Sequence, residues 1–174
     1  MSSVDKVPLH IGYYLSGFAD GEGSFNIVFR PRSDYRRKWK ISACFNVSNR
    51  DKVILCLFKR YLGCGTLRQR KDGVWYYEVN NLRAIVEKVI PFFKKFRFLS
   101  SQKKRDFSKF SQIVEIIWRG EHKTEEGIRR ILKLRRKMNR GGKRRYKESE
   151  IVLSVKREVS SEAIRRAPLQ QCRG

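Results

Sequence analysis

A chain of 174 residues suits one domain and can bury roughly 70% of the surface its unfolded form exposes, so a real core is possible. The balance of 41 Lys+Arg against 17 Asp+Glu, net +24, exceeds what solubility needs and points to a polyanionic partner, while 40% hydrophobic and 12% aromatic residues argue against a disordered basic tail. Two histidines, unpaired spacing of Cys44, Cys56, Cys64 and Cys172, and the lack of any run near about 18 apolar residues argue against structural zinc, a histidine-based nucleophile and a membrane helix, and the expectation is a soluble intracellular protein.

Residues 1–9 read as an N-terminal arm without the apolar segment of a signal peptide. Apolar residues at Ile11, Tyr14, Leu15 and Phe18 then predict a short helix from about Ile11 to Gly21, closed by the positive φ that Gly21 and Gly23 can adopt. Ser16, Gly17 and Gly21 form a side-chain-poor stripe of the kind that lets a partner helix approach closely. Asp20 and Glu22 sit at the helix C-terminus, where the macrodipole is already negative. That arrangement calls for a cation, and paired carboxylate oxygens suit a hard divalent ion such as Mg²⁺.

Ser24 to Arg32 alternates with period two, with Phe25, Ile27 and Phe29 inward and Ser24, Asn26, Arg30 and Arg32 outward. After a turn at Ser33 to Arg37, the stretch from Lys38 to Ser48 repeats the pattern. It buries Trp39, Ile41, Ala43, Phe45 and Val47 and turns Lys38, Lys40, Ser42, Asn46 and Ser48 out. Asn49 to Leu62 reads as a helix, with Val53, Ile54, Leu57, Phe58 and Tyr61 inward and Gly63 as its stop. A second hairpin spans Gly65 to Asn80 with a two-residue turn at Asp72-Gly73. It faces Leu67, Trp75, Tyr77 and Val79 inward and Thr66, Arg68, Arg70, Tyr76, Glu78 and Asn80 outward. Four strands thus share one polar, arginine-rich face. A solvated face is the default for an antiparallel sheet. With this net charge and these side-chain types, reading of phosphates and base edges is the favoured alternative.

Leu82 to Phe96 predicts a helix broken near Pro91, and Ser101 to Trp118 another, with Phe107, Phe110, Ile113, Val114 and Ile117 at core spacing. A last helix starts at Thr124, which caps it, and runs to Asn139, with Gly141-Gly142 as its stop. Thirteen Lys/Arg face three Glu between Arg119 and Lys147, and Lys143, Arg144 and Arg145 are assigned to phosphate contact over a nuclear-localisation role. Residues 148–174 read as a tail, with Val155 to Gly174 expected to be partly disordered. The fold class is therefore α+β, an αββαββα core at residues 10–147 with a four-stranded antiparallel sheet and its helices on one face.

Leu15 to Gly23 resembles the nonapeptide of the LAGLIDADG homing endonucleases, with serine at its second position, alanine at its fifth and glycine at its seventh. Phe45 to Asp51, Tyr61 to Gly65, Ile90 to Phe93 and Gln102 to Phe107 resemble further family blocks in the expected order. The resemblance implies a saddle-shaped sheet on double-stranded DNA, with Glu22 and the Gly21 carbonyl as metal ligands and Asp20 supporting the helix ends. It implies Mg²⁺, with Mn²⁺ or Ca²⁺ substituting in binding. Asn49 matches a water-positioning glutamine, and either Lys103 or Lys104 matches a basic residue that stabilises charge near the phosphate. One nonapeptide per chain implies a homodimer packed through Leu15, Ser16, Gly17, Ala19 and Gly21. The implied activity is that of an intron-encoded endonuclease cutting a long pseudo-palindromic site to leave short 3′ overhangs. Two alternatives stay open: an RNA-binding maturase that assists splicing of its host intron, and a non-catalytic basic DNA-binding domain.

Overall fold

The computed structural model describes residues 3–34, 39–139, 146 and 148–152. Helix α1 (Leu9–Glu22) leads into strands β1 (Gly23–Pro31) and β2 (Trp39–Asn49), then α2 (Lys52–Leu62) and strands β3 (Thr66–Gln69) and β4 (Trp75–Val79). Helices α3 (Leu82–Ala84), α4 (Ile90–Lys95), α5 (Ser101–Trp118) and α6 (Glu125–Arg136) complete the order, so the αββαββ core with added helices is as expected. The four strands are antiparallel in the order β1-β2-β4-β3, with Gly23 opposite Val47 and Phe45 opposite Val79.

Alternation along the strands sorts the two faces. Phe25, Ile27, Phe29, Ala43, Phe45, Val47, Tyr77 and Val79 are buried against the helices. The Phe25 ring lies 5.1 Å from Phe45, 5.6 Å from Phe93 and 4.9 Å from Phe110, which ties β1, β2, α4 and α5 into one cluster. Each such fully buried phenylalanine contributes about 1.5–3 kcal/mol of transfer free energy. Among the described residues, no helix is long and apolar enough to cross a membrane.

Several local expectations are corrected. Gly23 closes α1 in an extended conformation, φ −79° and ψ 150°, and Gly21 lies within the helix. Glycine at 23 serves close approach instead, because a Cβ there would stand 2.6 Å from the Ala19 carbonyl oxygen. Val53 is 66% exposed in the first turn of α2, where Asp51 caps by accepting from the Val53 amide, and Leu55 takes the core position. The Asp72-Gly73 turn is longer than two residues: the Arg70 amide donates to the Val74 carbonyl and Gly73 turns at φ 81°.

Pro91 does not break its helix. Its missing N–H and its ring disturb the preceding turn, which widens into a π-helix at Ile85–Val89, the Ile90 amide donating to the Ile85 carbonyl. Helix α6 stops at Arg136, short of Asn139, and Gly141-Gly142 lies outside the described residues. The N-terminal arm and the start of the tail also join the packed body, since Val4, Val7 and Ile151 are buried in the core. The expectation for Val155 to Gly174 falls outside the described residues.

Candidate active site and nucleic-acid interface

Helix α1 is asymmetric because its small and large residues segregate. Gly12, Leu15, Ser16 and Ala19 face the protomer's own core. The Ser16 hydroxyl donates to the Phe96 carbonyl at 2.8 Å, and a Cβ on Gly12 would fall 2.2 Å from the Phe96 ring. Leu15, Ser16 and Ala19 are thus engaged in intrachain packing. The opposite side carries Tyr13 and Tyr14, both more than half exposed, with Gly17 and Gly21, where a Cβ would meet nothing within 4 Å. Exposed aromatics beside bare glycines leave a shallow trough along one helix face.

The C-terminal end of α1 meets the N-terminal end of α5. Ser100 caps α5 by accepting from the Lys103 amide, and its hydroxyl and amide both donate to the Asp20 carboxylate. Partial burial works to raise the Asp20 pKa, but Ser100 and the nearby Lys103 charge outweigh it and hold the carboxyl below the usual range. The half-buried Lys103 ammonium donates to the Gly23 carbonyl. Burial pushes its pKa below that of an ordinary lysine, against the opposing pull of Asp20, Asp106 and Glu22. Lys104 is exposed and offers only its backbone amide to Ser100, so Lys103 is the lysine that reaches the end of α1. Opposite helix dipole ends and opposite charges therefore meet at this junction.

Glu22 stands exposed at the last position of α1, beside the exposed Gly21. Among the described residues, no cluster of three or more His, Cys, Asp or Glu could hold a metal ion. With Asp20 engaged by Ser100, one protomer offers a single open carboxylate and a backbone carbonyl. These hard oxygen donors fit a divalent cation in kind but are too few to enclose one. Asn49 lies two residues beyond the Val47–Gly23 pair, at the same end of the sheet, and its side-chain Oδ1 accepts from the Asp51 amide at 2.8 Å.

Sequence reading missed the residues that tie β1 to the last two helices. Asn139, the only non-glycine residue with positive φ (51°) among those described, donates from its amide to the buried Asp106 and from Nδ2 to the Phe25 carbonyl at 3.0 Å. Arg135 donates to the Ile27 carbonyl at 2.9 Å. Together with Lys103 on Gly23, these side chains occupy successive outward carbonyls of edge strand β1, which blunts it against pairing with another chain. Asp106 lies one turn before Phe110 on the core stripe of α5, and an acid on that stripe is the signal that could have exposed the network.

On the outer face of the sheet, one row runs Ser24, Asn46, Glu78, Thr66 across all four strands. Farther out, exposed Arg30 stands directly opposite exposed Lys40. Like charges in register are destabilising in the free sheet and favour an anionic partner. Ser42 lies between them and Asn46 on β2; Arg68 stands over the Tyr76 ring, 5.0 Å from its centroid. Arg32 pairs with Asp34 and Arg70 with Asp72, at 2.6 and 3.4 Å, at the sheet's periphery. Lys38, Lys143, Arg144 and Arg145 lie outside the described residues.

Residues 15–114 match the family model described as LAGLIDADG endonuclease. The chain is 29% identical over 165 residues to "Probable intron-encoded endonuclease 2" of Neurospora crassa, an alignment covering 87% of this chain and 36% of the relative, so the chain spans about a third of that relative's length. Among solved structures, the archaeal intron-encoded homing endonuclease I-Vdi141I complexed with DNA is similar with TM-score 0.78 and 25% identity, over 87% of this chain and 97% of that one. I-SmaMI bound to uncleaved DNA in the presence of calcium ions is similar with TM-score 0.71 and 27% identity, over 76% of this chain and 46% of that one.

Proposed function

The chain belongs to the LAGLIDADG endonuclease family, and from that premise we propose that two copies pair through α1 to make a site-specific DNA endonuclease that cuts both strands of a long, pseudo-palindromic duplex. The observation that carries this reading is the coincidence at one end of α1. The bare Gly17 and Gly21 face leads directly to exposed Glu22, beside Lys103 and beneath the end of the cationic sheet face. A two-fold axis along the glycine trough brings two Glu22 carboxylates and two Gly21 carbonyls together, which supplies the donors that one protomer lacks.

Those residues would hold Mg²⁺, with Mn²⁺ or Ca²⁺ substituting in binding, and the ion would supply charge neutralisation at phosphorus and an activated water. The protein's own residues do the rest. Lys103 brings a fixed positive charge to the scissile region, and Asp20 keeps α1 and α5 in register through Ser100. Asn49 offers its side-chain amide to an ordered water at the same end of the sheet. Arg30 and Lys40 bind the phosphate backbone, and Ser24, Asn26, Ser42, Asn46, Arg68 and Tyr76 face the base edges. Each centre cuts one strand, leaving short 3′ overhangs.

The test is incubation of the purified protein and a divalent ion with a plasmid carrying the junction that an intron encoding this chain would occupy. Linearisation at that junction is expected, and an intact plasmid with Mg²⁺ and Mn²⁺ alike contradicts the reading.

A further inference from the structure

We propose that Glu78 is a base-specificity residue whose carboxylate accepts a hydrogen bond from the exocyclic amino group of a cytosine in the major groove. This rests on the reading of the sheet as a DNA-binding face. Glu78 is the one acid among the described strand residues on that face, within a field that includes Arg30, Lys40 and Arg68. A carboxylate turned toward phosphate would be repelled by it, so a contact in this position has to be with base edges.

The side chain is held for such a contact. Oε1 accepts from the Cys44 thiol at 3.3 Å, and Oε2 lies 4.0 Å from Arg68 Nη2. Burial pushes the Cys44 thiol up to about 12, so it stays protonated at neutral pH and remains the donor. The carboxylate is thus held from the side by a buried sulfur on the same sheet face, two residues along β2 from its cross-strand partner Asn46, while its side chain remains 24% exposed. The Arg68 pair does not by itself account for an acid here, because a partly exposed pair at that separation contributes little.

The acceptor-only character of the group sets its preference. Guanine and thymine present acceptors at the relevant major-groove positions and are rejected. Adenine presents an amino group beside the N7 acceptor, which a carboxylate leaves unpaired, whereas cytosine offers its N4 amino donor alone. The row containing Glu78 starts at Ser24, the second residue of β1 and two positions past Glu22, so the cytosine lies toward the cleaved centre of each half-site.

The test is selection of bound sequences from a randomised duplex DNA library by the full chain, by Glu78→Gln and by Glu78→Ala, with thermal melting to establish that each variant folds. Expected is one cytosine position per half-site that moves toward adenine by about tenfold with Gln, which can pair both N6 and N7, and loses its preference with Ala. All other positions hold. If Gln fails to fold, Glu78→Asp retracts the acceptor and is expected to weaken the same cytosine several-fold. A selected site that every folded variant leaves unchanged overturns the inference while the DNA-binding reading stands. A wild-type protein that selects no sequence at all overturns both.

Discussion

The ammonium of Lys103 donates to the carbonyl oxygen of Gly23, joining the first turn of α5 to the residue that follows α1. The same turn holds Asp20 through Ser100, so the charge of Lys103 is fixed relative to Glu22 by two independent links. Lys103→Met is expected to lower the cleavage rate by about a hundredfold, the scale of removing one preorganised electrostatic donor, with DNA affinity nearly unchanged. Lys104→Met is expected to stay within a few-fold of the wild type. Single-turnover cleavage and gel-shift titration of both variants check this, and a larger rate loss at Lys104 would contradict the assignment.

On the proposed pairing of two copies, Gly17 bears on assembly and Gly12 on folding. A Cβ on Gly17 meets nothing within the protomer, whereas one on Gly12 would stand 2.2 Å from the Phe96 ring. Gly17→Leu is expected to yield a folded monomer with native helical content, since glycine costs a helix about 1 kcal/mol in any case. Gly12→Ala is expected to destabilise each protomer by about 1–3 kcal/mol through overpacking. Sedimentation velocity and urea denaturation distinguish the two, and a Gly17→Leu protein that remains dimeric would place the contact elsewhere.

Asn139 is held in the left-handed region by Asp106 on its amide and by its own contact with the Phe25 carbonyl. Asn139→Gly keeps the backbone geometry and loses that contact, an expected cost of about 1 kcal/mol. Asn139→Ala adds the left-handed penalty and is expected to cost about 1 kcal/mol more. Equal urea midpoints for the two variants would rule out a conformational role for this position.

His122 gives the fold an acid-sensitive corner between α5 and α6. Its Nδ1 is buried and finds no hydrogen-bond partner among the described residues, and burial, helped by the neighbouring Lys123 charge and only partly opposed by the Ile117 backbone, lowers the ring's pKa below that of an ordinary histidine. Between the lowered value and about 6.5, the unfolded chain binds more protons than the folded one, so stability rises with pH across that window and is lost on acidification. His122→Leu is expected to reduce the drop in melting temperature between pH 7.5 and pH 5. Parallel losses in variant and wild type would show that other groups set the acid limit.

What could be read from residues alone was what repeats. The alternation of Phe25, Ile27 and Phe29, the helical spacing of Phe110, Ile113, Val114 and Ile117, and the Asp20-Gly21-Glu22 ending of α1 each depend on a period or a short motif. The π-turn ahead of Pro91, the exposure of Val53 and the inward turn of Leu15, Ser16 and Ala19 depend on which neighbours pack where, and periodicity is silent about that. Asn139 contacts Asp106 and Phe25 from 33 and 114 positions away, separations that no local pattern spans, although the acid on the core stripe of α5 marks one end of the link. Ser100 as the partner of Asp20 was hidden for the same reason.

Strand cleavage depends on Glu22. Glu22→Gln preserves the shape of the α1 terminus and removes its open charge, so cleavage of the target plasmid and binding of the same duplex should be measured together in Mg²⁺. Expected is a variant that binds the duplex with near-normal affinity and leaves both strands intact. A Glu22→Gln protein that cuts at the wild-type rate would contradict the assignment of this site.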